Sequence, residues 1–317
     1  MMEQNIEPLV SIGLPVYNGE PYLTEAIQSI LDQTYRNLEL IICDNNSSDR
    51  TAEICRDFAA RDARIRYFRN ESNVGAARNH NLTFERACGV YFKWAAADDR
   101  IGREFLSLSV ERLQRDPTVV LCHSQVKVID ECGKEIMDFD YPADHASSTK
   151  PSRRFGDALS QDRTDFEVFA LIRASTLRRT RLLESYVASD RVLRAELALL
   201  GRYCILPERL FYNRDHPNRS VRAYPAHHLR AGWFDPRLAN HKVFPYWRVL
   251  FEYFRAVNRV PLPGWQRVCC YGQLTKWLAR DLNWARLAAD IVIAIFPESW
   301  RFMARMARSS ENWLRPT

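Results

Sequence analysis

The chain has 317 residues, 46% of them hydrophobic and 26% charged, which is enough apolar material for a packed core and excludes disorder except at the two ends. A length of this order holds one large α/β domain, or one such domain with a smaller helical annex. The formal net charge of +6 is unevenly placed: residues 1–150 carry 17 Lys and Arg against 24 Asp and Glu, and residues 151–317 carry 28 against 15.

The opening MMEQNIEPLVSI has no basic stretch leading into a long apolar one, so no signal peptide is expected. Val10–Val16 reads as a buried strand, and Leu23, Ala26, Ile27, Ile30 and Leu31 recur at amphipathic-helix spacing. Leu38–Cys43 is a second strand, and Ser48 and Asp49 are expected to cap a helix through Ala52, Cys55, Phe58 and Ala59. Ile65–Phe68 is a third strand, Ala76–Ala87 a helix, Val90–Trp94 a fourth strand, Glu104–Arg115 a helix and Val119–Ile129 a fifth strand. This alternation predicts right-handed crossovers and a mostly parallel sheet, whose ligand sits at the carboxyl ends of the strands.

Asp130–Asp165 is rich in Pro, Ser and Asp and reads as a surface excursion. Helical pattern returns at Phe166–Leu183 and Ser189–Leu200, and again from Phe244 onward, broken by Pro245, Pro261, Pro263 and Pro297. The longest apolar run, Ile291–Phe296, is too short for the roughly 20 residues of a membrane span. Eight cysteines without CxxC spacing are expected to be reduced thiols of a cytoplasmic protein.

Each of the first four strands is followed by polar residues beyond what a connection needs. They are P-V-Y-N at 15–18, D-N-N-S-S-D at 44–49, N-V-G-A-A-R-N at 73–79 and A-A-D-D at 96–99. Taken singly, such turns are ordinary, because Asn and Asp side chains bond nearby backbone and cap helices. In this order and spacing they closely resemble family 2 glycosyltransferases of the GT-A fold, over roughly residues 8–220.

That resemblance implies a Rossmann-like α/β domain over residues 1–220, with residues 221–317 as a helical extension. It implies an inverting enzyme that moves a sugar from a UDP-, GDP- or dTDP-linked donor to a carbohydrate or lipid-linked acceptor. Asp44 matches the carboxylate that accepts a hydrogen bond from the base, and Pro15 and Tyr17 match the wall of the base pocket. Asn18 and Asn46, in the same two motifs, are placed at the donor, as is Arg78, which matches a basic residue near the nucleotide.

Asp98 and Asp99 look like the end of a DXD signature, which holds Mn²⁺ or Mg²⁺ against the donor diphosphate. The first acid of that signature is Ala96 here, so Asp98 is taken as the first ligand with Asp99 behind it, the alternative being two helix-capping acids. The general base of the family opens a helix after the sheet region. Asp190, in Ser189-Asp190-Arg191, fits that place, although Ser189 and Asp190 would equally make an N-cap; Asp165 and Glu167 are reserves. The stretch from Leu210 to Ser220 resembles an R-x-H-x-x-x-S motif, in which Arg214 and His216 could face the diphosphate or complete the metal site.

The C-terminal segment shows one further pattern: Trp300, Met303, Met306 and Ala307 fall on one helical face, with Arg301, Arg305 and Arg308 on the other. This suits a peripheral contact with the inner face of a membrane, or equally a packed helix with a solvated basic face. No interleaved basic–aromatic motif points to nucleic acid. Two rivals are a nucleotidyltransferase, disfavoured because Pro15–Glu20 has one Gly and no Lys or Arg, and a catalytically silent binding protein, suggested by Ala96.

Overall fold

The computed structural model describes residues 7–142, 144–160, 166–223, 227–239 and 241–296. The amphipathic stripe at 300–308 and the reserve Asp165 lie outside the described residues. The first elements are β1 (Val10–Val16), α1 (Glu20–Leu31), β2 (Leu38–Asp44), α2 (Thr51–Arg61), β3 (Ile65–Arg69), α3 (Ala76–Glu85) and β4 (Tyr91–Trp94). Each falls within two residues or so of its expected place, because each carries a clean period. In β1 the alternate residues Val10, Ile12, Leu14 and Val16 all enter one core, and α1 buries the five residues that its spacing selects. Pro21 sits in the first turn of α1, where a missing N–H costs nothing.

A two-residue strand β5 (Arg100–Ile101) follows, then α4 (Phe105–Arg115), β6 (Val119–Ile129), β7 (Glu135–Phe139) and α5 (Pro151–Ser160). The expected surface excursion therefore contains a hairpin strand and a helix. A 3-10 turn at Phe166–Phe169 leads into β8 (Leu171–Arg173) and the single turn α6 (Ala174–Leu177), where continuous helix was expected. Then come α7 (Ser189–Leu200), β9 (Arg202–Arg214), α8 (Ser220–Ala223), α9 (His227–Phe234), α10 (Pro245–Arg259), α11 (Gly264–Ala279) and α12 (Asn283–Ile295).

The sheet order is β3-β2-β1-β4-β8-β6-β9-β5, with β7 paired to β6. The half from β3 to β4 is parallel, as the alternation requires. Beyond β4 the sheet is mixed: β8 enters antiparallel between β4 and β6, while β9 runs parallel to β6. The carboxyl ends of β1, β2, β3, β4, β6 and β9 consequently share one edge.

One face of the sheet is covered by α1, α2 and α4, and the other by α3 and α7. Gly13 lets α3 approach β1 closely, since a Cβ there would lie 2.2 Å from Thr83 Oγ1 and 2.7 Å from the Phe92 ring. Helix α7 is buried on nearly every side. Leu193 and Leu197 face the sheet, and Val192, Ala195 and Leu199 face a third core shared with α5, α10 and α11. The C-terminal helices are thus packed on α5 and α7 of the α/β domain. All eight cysteines are free, and among the described residues no helix is long and apolar enough to cross a membrane.

Candidate functional site

The first two motifs are stitched together at the carboxyl edge. Pro15 is buried beside Cys43, and Tyr17, half exposed, projects from the end of β1. Asn18 takes a positive φ of 51° and its N–H donates to Ser47 Oγ at 2.9 Å, while its Oδ1 accepts from the Ser48 N–H at 2.9 Å. Helix α2 is not capped by Ser48 or Asp49 as expected; Arg50 is the cap residue, with no side-chain bond. The Asp49 carboxylate instead accepts from the N–H groups of Thr51 and Glu20, at 3.0 and 3.1 Å, joining the starts of α2 and α1.

Asp44 is fully buried at the end of β2. Its carboxylate accepts from the Ser47 N–H and the Tyr67 hydroxyl, both at 2.8 Å, with the Arg69 guanidinium at 3.6 Å. A carboxylate offers about four acceptor positions, so a base N–H can still be accommodated, but only by moving one of these three groups aside. Burial and the bond to Asp44 push the Tyr67 phenol above its ordinary range. Asn46, exposed and at φ 65°, bonds Arg69 through its Oδ1 at 3.2 Å.

The second and third motifs are locked by side-chain amides. Asn45 donates to Asn73 at 2.8 Å, Asn70 donates to Asn45 and Asn79 at 3.0 and 2.9 Å, and Asn79 donates to the Cys43 carbonyl at 2.8 Å. Gly75 opens α3 at φ 86°, and a Cβ there would meet the Phe234 carbonyl oxygen at 2.4 Å. Gly75→Ala is therefore expected to cost about 2 kcal/mol or more, read as a lower urea midpoint at unchanged slope. Arg78 is exposed and ion-paired with Glu85 in the last turn of α3. Its guanidinium trails down the helix from the edge where the donor was expected to meet it.

After β4 the two acids part company. Asp99 turns inward, where its Oδ1 accepts from the Arg214 N–H at 2.8 Å and the Asn213 amide at 3.1 Å. Burial, with the charge of Asp98 adding to it, pushes the Asp99 carboxyl up to about 7. Its oxygens brace β9, so the expected second metal ligand is a structural group in this arrangement. Asp98 stays one-third exposed, and its Oδ2 lies 2.9 Å from His216 Nε2.

The Arg214 side chain is enclosed. It is 1% exposed, donates from Nε to the Asp98 carbonyl at 2.9 Å and from Nη1 to the carbonyls of Asp130 and Glu131, and pairs with Glu25. Its guanidinium lies over the Tyr22 ring at 4.6 Å. It is a positioning residue that fixes the backbone of Asp98. His216 packs on the same Tyr22 ring, and its buried Nδ1 has no hydrogen-bond partner among the described residues.

Asp190 lies in the first turn of α7. Because α7 leads through Gly201 into β9, which starts at the amino edge beside Val119, the first turn of α7 faces the carboxyl edge. Ala188, at φ 66°, is the N-cap, and no side chain caps the helix. The Ser189 hydroxyl is buried without a hydrogen-bond partner among the described residues, and Asp190 Oδ1 accepts from the Arg191 N–H at 3.1 Å. Neither Ser189 nor Asp190 is the N-cap residue of α7. Arg230 lies within electrostatic reach of both Asp190 and Arg191.

This geometry can be set beside known proteins. Residues 11–187 match the family described as glycosyl transferase family 2. The chain belongs to that family. Curated relatives include an uncharacterized glycosyltransferase of Haemophilus influenzae, 28% identical over 223 residues, covering 68% of each chain. Another from the same organism is 35% identical over 129 residues, 41% of this chain and 51% of its own. Glycosyltransferase GlyG of Streptococcus pneumoniae is 35% identical over 114 residues, 36% and 38% of the two chains. The chain thus spans about half the length, or less, of several curated relatives that it matches.

Among solved structures, S. aureus TarS 1–349 in complex with UDP-GlcNAc superposes with a TM-score of 0.61 at 16% identity, covering 86% of this chain and 73% of that one. The mannosyltransferase PcManGT of Pyrobaculum calidifontis, in complex with GDP-Man and Mn²⁺, gives 0.54 at 18% identity, covering 92% and 88%. The shared fold is the GT-A type.

Within this family 2 chain, sequence reasoning missed three groups. Arg69 and Tyr67, on β3, embrace Asp44; their signal was the register that sets Arg69 beside Asp44 across β2 and β3. Tyr22, on α1, underlies both Arg214 and His216, and nothing in its local sequence marks it. Glu167 is not a reserve base. It is fully buried, with Arg194 at 2.8 Å, His145 at 3.0 Å and the Tyr141 hydroxyl at 3.0 Å around its carboxylate.

Proposed function

We propose that the chain is an inverting glycosyltransferase that moves a sugar from a nucleotide-diphosphate sugar to an acceptor hydroxyl. The observation that carries this reading is the Asp98–His216 pair, held by Arg214 at the carboxyl edge, the edge to which the first turn of α7 also belongs. The acceptor oxygen attacks the anomeric carbon as the bond to the diphosphate oxygen breaks. The acceptor proton passes to Asp190, and the nucleotide diphosphate leaves with the bonding pair.

The donor set fits a divalent cation. Ligands of an octahedral ion with bonds of about 2.1 Å sit roughly 3 Å apart, near the 2.9 Å between Asp98 Oδ2 and His216 Nε2. Among the described residues no cluster of three or more His, Cys, Asp or Glu converges, so the remaining ligands would be diphosphate oxygens and water, as Mg²⁺ and Mn²⁺ sites on nucleotides commonly use. Such an ion supplies Lewis-acid stabilisation of the departing diphosphate. Tyr17 and the Asp44–Tyr67–Arg69 group would hold the base, and Asp98 would orient the diphosphate. UDP, GDP and dTDP donors all suit this site. The complexes of TarS with UDP-GlcNAc and PcManGT with GDP-Man support a nucleotide-sugar donor. Assembly of a surface polysaccharide, glycolipid or glycan on the cytoplasmic side is the role that the reading implies.

The test is nucleotide release from a panel of UDP-, GDP- and dTDP-sugars, with and without Mn²⁺ or Mg²⁺. One donor is expected to be turned over, with a loss of about a hundredfold or more on chelation and in Asp98→Ala. Ala96, where an acid of the signature is missing, favours a second reading as a silent sugar-nucleotide-binding protein. Donor binding without turnover, unchanged in Asp98→Ala, would select it.

A further inference from the structure

The outer surface of the three C-terminal helices is built the wrong way round for a helix facing water. On α10, Trp247, Phe251 and Phe254 are i, i+4 and i+7, and on α12 Trp284, Ile291 and Ile295 are i, i+7 and i+11; each is 43–59% exposed, and the Trp247 indole N–H donates to the Leu287 carbonyl of α12 at 2.9 Å. The inward face of α12 instead carries the polar Asn283 and Asp290 beside Leu287 and Ala294. Asp290 accepts from the N–H groups of Tyr246 and Trp247, at 2.7 and 3.3 Å, so it is spent on holding the start of α10. Soluble helices place these two chemistries in the opposite sense.

The charge around this apolar surface has one sign. Residues 241–296 carry eight Lys and Arg against three acids. Glu252 and Asp290, the two acids whose side chains are described, are both buried. Arg248 and Arg255 stand exposed beside the α10 stripe and share the buried Glu252 carboxylate at 3.0 and 3.1 Å, two cations on one acid, with Arg255 over the Phe251 ring at 4.2 Å.

We propose that the outer face of α10 and α12 docks on an anionic lipid surface, with the aromatic and aliphatic stripe in the headgroup region and the flanking arginines on lipid phosphates. Aromatic side chains on a basic helix surface are the composition that lies in a membrane interface. The 13 residues of α12 span about 20 Å, short of the roughly 30 Å hydrocarbon core, so the helix lies on the membrane rather than through it. A second copy is a poorer occupant, because a two-fold contact would bring two basic faces together. Residues 297–317, with four Arg against two Glu, add to that charge rather than neutralise it. The docking face begins beside the site: Arg230 is within electrostatic reach of both Tyr246 and Asp190. A lipid-linked acceptor would therefore be presented where the proposed base stands.

Vesicle flotation of the full chain tests this without reference to transfer activity. The probes are phosphatidylcholine vesicles and vesicles in which about a third of the lipid is phosphatidylglycerol. Binding is expected to the anionic vesicles alone, with release by about 0.5 M salt. Trp284→Ser combined with Ile295→Ser is expected to lower the bound fraction about tenfold at an unchanged thermal midpoint. Should that variant unfold, quenching of wild-type tryptophan fluorescence by brominated phosphatidylglycerol vesicles gives the same reading. Equal binding to both vesicle types, full binding by a folded variant, or absence of quenching overturns the proposal. Concentration-dependent dimerisation with no vesicle binding overturns it in favour of a second copy.

Discussion

Glu167→Ala is expected to lower the stability of the folded chain by about 3–5 kcal/mol, because it takes a buried carboxylate away from the buried Arg194 guanidinium. Arg194 is 2% exposed and Glu167 is fully enclosed, so water cannot take over the lost bond. Glu167→Gln keeps the shape but loses the charge, and it is expected to fall between wild type and alanine. Urea unfolding at neutral pH measures both.

The pH dependence follows from the same contacts. Burial alone would raise the Glu167 carboxyl, but the Arg194 guanidinium beside it and the bond from His145 outweigh burial and bring it down to about 2, from an ordinary 4.5. A group with a depressed folded pKa contributes its full stability above the unfolded value and loses it as pH falls toward the folded one. The gap between wild type and Glu167→Gln should accordingly be widest above pH 4.5 and narrow as pH falls toward about 2. A gap that does not change over that range would mean that the carboxylate is not held by charge.

The ion pair also bears on the reaction. Arg194 is one turn beyond Asp190 on α7, and the Tyr203 hydroxyl donates to the Arg194 carbonyl at 2.5 Å. These contacts set the rotation of α7 against the sheet, and with it the direction in which its first turn presents Asp190.

How far the sequence reaches can be judged from these elements. The parallel half was legible because β1, β2 and α1 each bury one periodic face, and local period survives without knowledge of partners. Strand β8 is three residues long, too short for any period, and the Phe166–Leu183 segment around it reads as helix from its apolar spacing. Helix α5 hid in a polar stretch because its apolar residues, Phe155, Ala158 and Leu159, are explained only by α7 and α11, which follow it in the chain.

The site was legible in residue type more than in role. The resemblance to the DXD and R-x-H-x-x-x-S motifs marked Asp99 and Arg214 as ligand groups. Their partners, however, are distant in the chain: Glu25 and Asp130 for Arg214, and Asn213 for Asp99. Those contacts tie Arg214 to the Asp98 carbonyl and Asp99 to β9. Asp190 stands in the first turn of α7 with Ala188 as the cap residue, a distinction of one or two positions that the sequence pattern does not resolve.

Asp190→Asn is expected to reduce transfer to an acceptor by about 10²–10⁴-fold while leaving donor binding unchanged. The amide matches the carboxylate in shape but cannot take up the acceptor proton as the new bond forms. The unfolding midpoint of the variant, measured beside that of wild type, separates a loss of rate from a loss of fold. The discriminating measurement is kcat for transfer beside Kd for the donor nucleotide, in the same preparation. A fall in kcat at constant Kd assigns the proton to Asp190. A weakened Kd with kcat intact would instead place this carboxylate on the donor, beside Arg230 and Arg191 rather than beside the acceptor hydroxyl. Full transfer by the variant would remove Asp190 from the chemistry, and the first turn of α7 would then serve packing alone.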